Sequence, residues 1–450
     1  MKNLIKNYCS INSQRRKFLG LPLLLSMGVW GLSGLTSYAQ EPQKQQEQRP
    51  VIKIAMIEGL SGALGNSGES VYNNLLWATE RINAAGGVII NSLPHDLVIV
   101  RFDSQGNIQN ALSMLKAATD QNIRIIVQGN GSAVASALVA AINKHNERRP
   151  DQRVVFLNYS AIETTLTNEA CSFWHFRFDA HADMRLQALF QALKNDTHIR
   201  KVYLVGQDYS FGRYVVQRSR QMLAQIRPDI EIVGEVLHPI GQIKDFIPYA
   251  NNIKTSGAQA IITGNWGNDL TLLIRATRDI GMDSNFYTFY ANDLGIPTAI
   301  GDAGIGRTLA VMEWHPNAGV GLDAKTGAAS DQFYQTFTER FPDPMTCLLR
   351  VRMQVMIEML AKAITQAGKV DALAIALALE DMSYDNGFHH VHMRKEDHQL
   401  QQPLYVIQME KSGTEDTPFP SENSPYAFKT ILRLEPEQIE MPSSCSMPRP

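Results

Sequence analysis

IRIIVQGNGSAVASALVAAINKH, residues 123–145, decides the fold. Ile123 to Gln128 is apolar on both faces, as a fully buried strand is, and Ser132 to His145 carries apolar residues at helical spacing. The glycines between them make a turn whose following helix offers free first-turn amides. Strand, glycine turn and helix are the repeating half of a parallel α/β sheet.

The same succession extends in both directions. VIKIAMI (51–57), LVIVRFD (97–103) and RVVFLN (153–158) read as strands, and helices are expected from Glu69 to Ala85, Ile108 to Gln121 and Ser132 to His145. After the aromatic segment Phe173 to Phe178 the series begins afresh. Strands KVYLVG (201–206), EIVGEVL (231–237), AQAIITG (258–264), NFYTFY (285–290) and RTLAVMEWH (307–315) alternate with helices. Helices are then predicted over Ser330 to Phe341, Leu348 to Ala367 and Val370 to Asp381, with late strands FHHVHMR (388–394) and PLYVIQME (403–410). Elements this late imply that the chain returns to its first half and crosses again. No sequence repeat accompanies the topological one.

The chain of 450 residues is 44% hydrophobic and 19% charged, an ordinary globular composition long enough for more than one domain. Residues 1–39 stand apart: basic residues precede the apolar run Phe18 to Leu35, and Ser37-Tyr38-Ala39 resembles a cleavage site. Ser13 to Leu19, SQRRKFL, matches the twin-arginine export pattern, so a signal peptide over 1–39 and a periplasmic protein are expected. An amino-terminal membrane anchor is the alternative reading of the same run. Residues 40–50 read as a flexible tether. Removing the five basic residues of the leader leaves 37 basic against 44 acidic, a net charge of about −7, which argues against nucleic acid as a partner.

Gly129-Asn130-Gly131-Ser132-Ala133-Val134 imitates the start of the dinucleotide fingerprint. Val134 occupies the third glycine's position, the next strand ends in Asn158-Tyr159-Ser160 with no acidic residue, and the turn follows the third strand, not the first. No cofactor is expected. The turn can still hold an anion or a carbonyl oxygen through the amides of Gly131, Ser132 and Ala133, although Ser132 serving only as a helix cap explains the same residues.

The ordered motifs resemble the Leu/Ile/Val-type periplasmic substrate-binding proteins of branched-chain amino-acid and amide ABC transporters. They are Leu60-Ser61-Gly62-Ala63, Ile82-Asn83-Ala84-Ala85-Gly86-Gly87-Val88, Asp103-Ser104, Gly131-Ser132, Asn158-Tyr159-Ser160-Ala161, Phe176-Arg177, Asp208-Tyr209-Ser210-Phe211-Gly212 and Arg394-x-x-Asp397-His398-Gln399, spread over Val51 to Met409. The resemblance implies an α/β type I periplasmic-binding fold, two Rossmann-like lobes joined by three hinge crossings near 174–177, 307–315 and 384–387. Lobe 1 would comprise 51–174 and 315–384, lobe 2 175–314 and 385–410, with a carboxy-terminal extension over 411–450. It implies a small ligand held by Gly131, Ser132, Ser160, Ala161, Phe211, Trp266, Asn292 and Asp293, and an inner-membrane ABC permease as partner. Ile162-Glu163 departs from the family pattern, and Phe211 lacks a tyrosine hydroxyl. A branched-chain amino acid and a neutral amide, urea-like or amine ligand therefore both remain open. A sensory module using the same lobes is the alternative function.

Cys171, Cys347 and Cys445 outlast the leader. On the resemblance, relatives with such extensions carry cysteines at comparable points, which implies a Cys171–Cys445 bridge and leaves Cys347 as a free thiol at a helix start. His389, His390, His392 and His398 cluster within ten residues, and His390 and His392 would share a strand face, but the segment falls on the family's crossing strand; no metal site is expected. Ser, His and Asp occur without a nucleophile elbow, so no enzyme is expected.

Overall fold

The computed structural model describes residues 49–346 and 348–450; the segment expected to be an export signal, the start of the expected tether and Cys347 lie outside the described residues. The apolar runs become strands because helices cover both of their faces. β1 (Val51–Glu58), β2 (Val88–Ile90), β3 (Leu93–Asp103), β4 (Ile125–Gln128), β5 (Val155–Asn158) and β6 (His175–Arg177) form one sheet, ordered β2-β3-β1-β4-β5-β6. Every pairing in it is parallel except the β2–β3 hairpin. Helices Gly65–Ala84, Ile108–Asp120 and Ser132–Arg148 connect the strands.

β7 (Lys201–Gln207), β8 (Glu231–His238), β9 (Ala260–Thr263), β10 (Asn285–Thr288) and β11 (Thr308–Met312) build a second parallel sheet. The chain then returns. Helix Val351–Ala367, the most apolar long helix by pattern, packs on helix Gly65–Ala84 of the first half. β12 (Ser383–Asp385), β13 (His390–Met393) and β14 (Leu400–Gln401) make a small antiparallel sheet that joins the edge of β6 through an Arg177–Gln399 bridge. β15 (Leu404–Lys411) and β16 (Tyr426–Leu434) complete the second sheet, ordered β16-β15-β11-β10-β9-β7-β8. The main chain thus passes between the sheets after β6, after β11 and after β14.

β16 falls within 411–450, where the sequence predicts only an irregular extension. It lies on the sheet edge and buries only some of its side chains, so its apolar signal is diluted by Lys429, Thr430 and Arg433. Beyond it, helix Pro436–Ile439 packs on helix Ala182–Asn195, which covers the second sheet. Cys445 is then bonded to Cys171, in the loop before β6, with Cα atoms 5.7 Å apart.

Both sheets reverse their strand order once, between β1 and β4 in the first and between β7 and β9 in the second. Crevices outside the carboxyl ends of such strand pairs are where open α/β sheets take ligands.

Candidate functional site

On the first sheet the crevice is floored by Glu58, the last residue of β1. The turn after β4 lies against the Tyr159–Ser160 segment so closely that a Cβ on Gly129 would stand 2.6 Å from the Tyr159 ring and 2.7 Å from the Ser160 nitrogen. Gly131 caps the next helix with φ of 109°, a conformation that favours glycine, and makes no side-chain cap bond to the helix's first amides. Ser132 opens that helix, and its Oγ accepts from the Glu163 N–H at 3.4 Å. Ser160 presents its hydroxyl to Arg352 at 3.3 Å. Ala161 is buried, and the Asn158 side chain accepts from its N–H at 2.8 Å and from that of Ser160 at 3.1 Å.

On the second sheet Tyr209 and Trp266 stand at the starts of adjacent helices, Ser210–Ile226 and Gly267–Asp279. The Trp266 indole N–H donates to the Tyr209 hydroxyl at 2.9 Å, and Trp266 keeps 41% of its surface exposed. Burial pushes the Tyr209 phenol up to about 12, the indole bond opposing it, with the Glu163 carboxylate of the facing edge adding to the rise. Phe211 is turned inward instead, edge-on to Phe289 and tilted against Tyr290 in the core of the second sheet. Asn292 directs its amide to the Met312 sulfur.

Asp293 meets the first half of the molecule directly. Its Oδ1 accepts from an Arg350 guanidinium N–H at 2.6 Å. Arg350 is held from behind, its backbone N–H on Asn74 Oδ1 at 2.9 Å, while Asn74 Nδ2 donates to the Leu348 carbonyl at 2.9 Å. Burial alone would raise the Asp293 carboxyl; the charge and hydrogen bond of Arg350 outweigh it and hold Asp293 below the usual range. Two residues on, Arg352 donates to the Tyr159 carbonyl at 2.6 Å and to Glu313 at 2.6 Å, and lies 3.3 Å from Asp179. Asp179 in turn pairs with Arg185 at 2.5 Å. These four charges are nearly fully buried and sum to zero, as burial requires.

Ser132 and Ser160 thus sit at the carboxyl edge of the first sheet, in contact with Glu163 and Arg352, Trp266 sits with Tyr209 at that of the second, and Asp293 meets the first half through Arg350. Phe211 and Ala161 belong to the packing beneath. Glu58, Tyr209, Arg350 and Arg352 were not singled out from sequence. Tyr209 shares the Asp208–Gly212 motif with Phe211; the extended backbone at Tyr209 keeps it outside the helix, and Phe211, one position inside it, turns to the core. The signal for the arginines is Arg350 and Arg352 interrupting the otherwise apolar run Leu348 to Met353.

The histidines do not converge. His398 stacks on Phe176 with centroids 3.9 Å apart and bonds Glu380 at 2.9 Å, His390 sits 3.8 Å from Asp385, and His392 sits 3.9 Å from Asp381. Among the described residues no group of three or more His, Cys, Asp or Glu is arranged to hold a metal ion. A cavity of about 430 Å³ lies to one side, between Thr164, Asn168, Asp183, Arg218 and the tail residues Met441 and Ser444. Among the described residues no helix is long and apolar enough to cross a membrane.

The family model described as periplasmic binding protein matches residues 51–414. Leu/Ile/Val-binding protein homolog 4 of Brucella abortus is 30% identical over 443 residues, 96% of this chain and 100% of the relative. The counterpart from Brucella suis matches to the same extent. A leucine-, isoleucine-, valine-, threonine- and alanine-binding protein from Brucella ovis, solved in a closed conformation, superposes with a TM-score of 0.79 at 28% identity, covering 89% of this chain and 100% of that one. A branched-chain amino-acid ABC transporter ligand-binding protein from Burkholderia xenovorans shares the fold, with a TM-score of 0.69 at 18% identity over 88% of this chain and 99% of its own.

Proposed function

The chain belongs to the periplasmic binding protein family, and on that premise we propose that it captures a small zwitterion of the amino-acid class between its two sheets and delivers it, chemically unchanged, to an inner-membrane ABC permease. Export to the periplasm through the leader over residues 1–39 is part of the same reading. The observation that carries it is the Arg350–Asp293 pair, one charge of each sign brought together from the two halves of the molecule. A carboxylate and an ammonium on one small solute are the groups that such a pair can receive in exchange for each other. Trp266 and Tyr209 supply apolar faces for a side chain, and the helix amides after Gly131 add donors to the carboxylate. Ligand bound only to the folded protein raises its melting temperature.

The test is a thermal-shift screen of the mature protein against amino acids, their amides, urea and aliphatic amines, followed by titration calorimetry on Trp266→Ala and Asp293→Ala. Stabilisation by amino acids, and affinity reduced at least about tenfold in both variants with unliganded stability retained, is the expected result. A screen in which nothing stabilises the protein, or variants that bind as the wild type does, rejects the reading.

A further inference from the structure

Glu58 lies beneath the gap, 1% exposed, and spends one carboxylate oxygen on three donors from two segments. Oε1 accepts the N–H of Gly129 at 2.8 Å, the N–H of Asn130 at 2.9 Å and the hydroxyl of Tyr159. Gly129 and Asn130 lead directly into the Gly131–Ser132 helix start, and Tyr159 leads into Ser160. A buried carboxylate costs folding free energy unless it is held by donors, and these donors all sit on the stretches from which the ligand-facing groups project. An apolar residue would have packed the same floor without that cost.

We propose that Glu58 is a positioning residue for capture: its carboxylate fastens the β4 turn and the β5 turn into one rigid donor surface and so fixes the Ser132 amides and the Ser160 hydroxyl relative to each other. The inference rests on the proposed binding gap and deepens it. Fastening depends on the charge. An ionised oxygen holds the three donors by charge-assisted hydrogen bonds, whereas in the acid form the proton sits on Oε2 and Oε1 becomes a neutral carbonyl that holds the same donors more weakly. Asp103 is the register partner of Glu58 on β3, and the charges of Arg350 and Arg352 act on the Tyr159 phenol bonded to it. Burial pushes the Glu58 carboxyl up to about 7, against the pull of its Asn130, Tyr159 and Gly129 bonds, which puts the change of state inside the neutral range.

Two measurements on the wild type, Glu58→Gln and Tyr159→Phe test this. The first needs no ligand. Hydrogen exchange of the segment 125–134, corrected for intrinsic rates, is expected to quicken in Glu58→Gln and, in the wild type, on going from pH 8 to pH 6, with smaller quickening in Tyr159→Phe. The second is the pH dependence of L-leucine affinity. If only the ionised form is competent, the apparent Kd rises about tenfold from pH 8 to pH 6 in the wild type and stays flat in Glu58→Gln. Unchanged exchange in Glu58→Gln overturns the proposal whatever leucine does, and so does a wild-type affinity that tightens or holds level on acidification. Absence of leucine binding with exchange altered as expected rejects the choice of solute and leaves the fastening role standing.

Discussion

The Arg350 guanidinium reaches 2.6 Å to the Asp293 carboxylate, joining a helix start packed on the first sheet to a loop that leaves the second. The side chains are 15% and 36% exposed, so water screens the pair and its contribution to folding is small. Its consequence is for occupancy: an incoming zwitterion has to replace each charge's partner. Arg350→Met is expected to weaken amino-acid binding by about 1.5–3 kcal/mol, the range of a charge-assisted hydrogen bond, while the urea midpoint moves little. Calorimetry alongside urea unfolding reads both.

The four-charge network at Arg352 behaves in the opposite way. With Arg352 and Glu313 nearly inaccessible, removing one partner strands a buried charge. Arg352→Met is expected to cost about 3–5 kcal/mol of stability, seen in denaturant unfolding, whereas Arg350→Met two residues earlier does not.

Glu58 gives stability and binding opposite pH dependences. Its carboxyl rises on folding from 4.5 to about 7, so the folded protein takes up the proton more readily than the unfolded chain. The contribution is therefore full below about 4.5 and is lost as pH rises through about 7. Stability attributable to Glu58 falls between those values just as leucine affinity improves. Unfolding curves at several pH values, compared between wild type and Glu58→Gln, should differ in slope over that window; parallel curves would contradict the shift.

Reduction of the Cys171–Cys445 bond frees a separation of 274 residues. Chain-entropy reasoning assigns about 5.6 kcal/mol to closing such a loop, an upper figure because strain and residual structure subtract from it. The tail also pairs Arg449 with Glu380 and packs helix Pro436–Ile439 on the opposite side, so it ties the two halves together a fourth time. Cys171→Ser is expected to lower the melting temperature and to enlarge the unliganded radius of gyration in X-ray scattering.

Much of this architecture was legible in the sequence because buried parallel strands advertise themselves. IRIIVQ and VIKIAMI are apolar on both faces, and glycines and helical periodicity mark the turn and helix after each. β16 was not legible, since an edge strand among Ser, Pro and Glu has only half a face to bury. The candidate site was legible where a motif fixes the backbone, at Gly131 and Ser132, and illegible where meaning comes from distant placement. Glu58 looks like any carboxylate ending a strand until Gly129 and Tyr159 converge on it from 71 and 101 residues away. Arg350 becomes part of the gap only because Asn74 holds its backbone.

The Cys171–Cys445 bond also distinguishes finished from unfinished molecules. A chain that ends between Cys171 and Cys445 before the bond forms leaves the Cys171 sulfur without its mate, open to a thiol-reactive reagent, so alkylation at Cys171 takes a census of such truncated or unpaired protein.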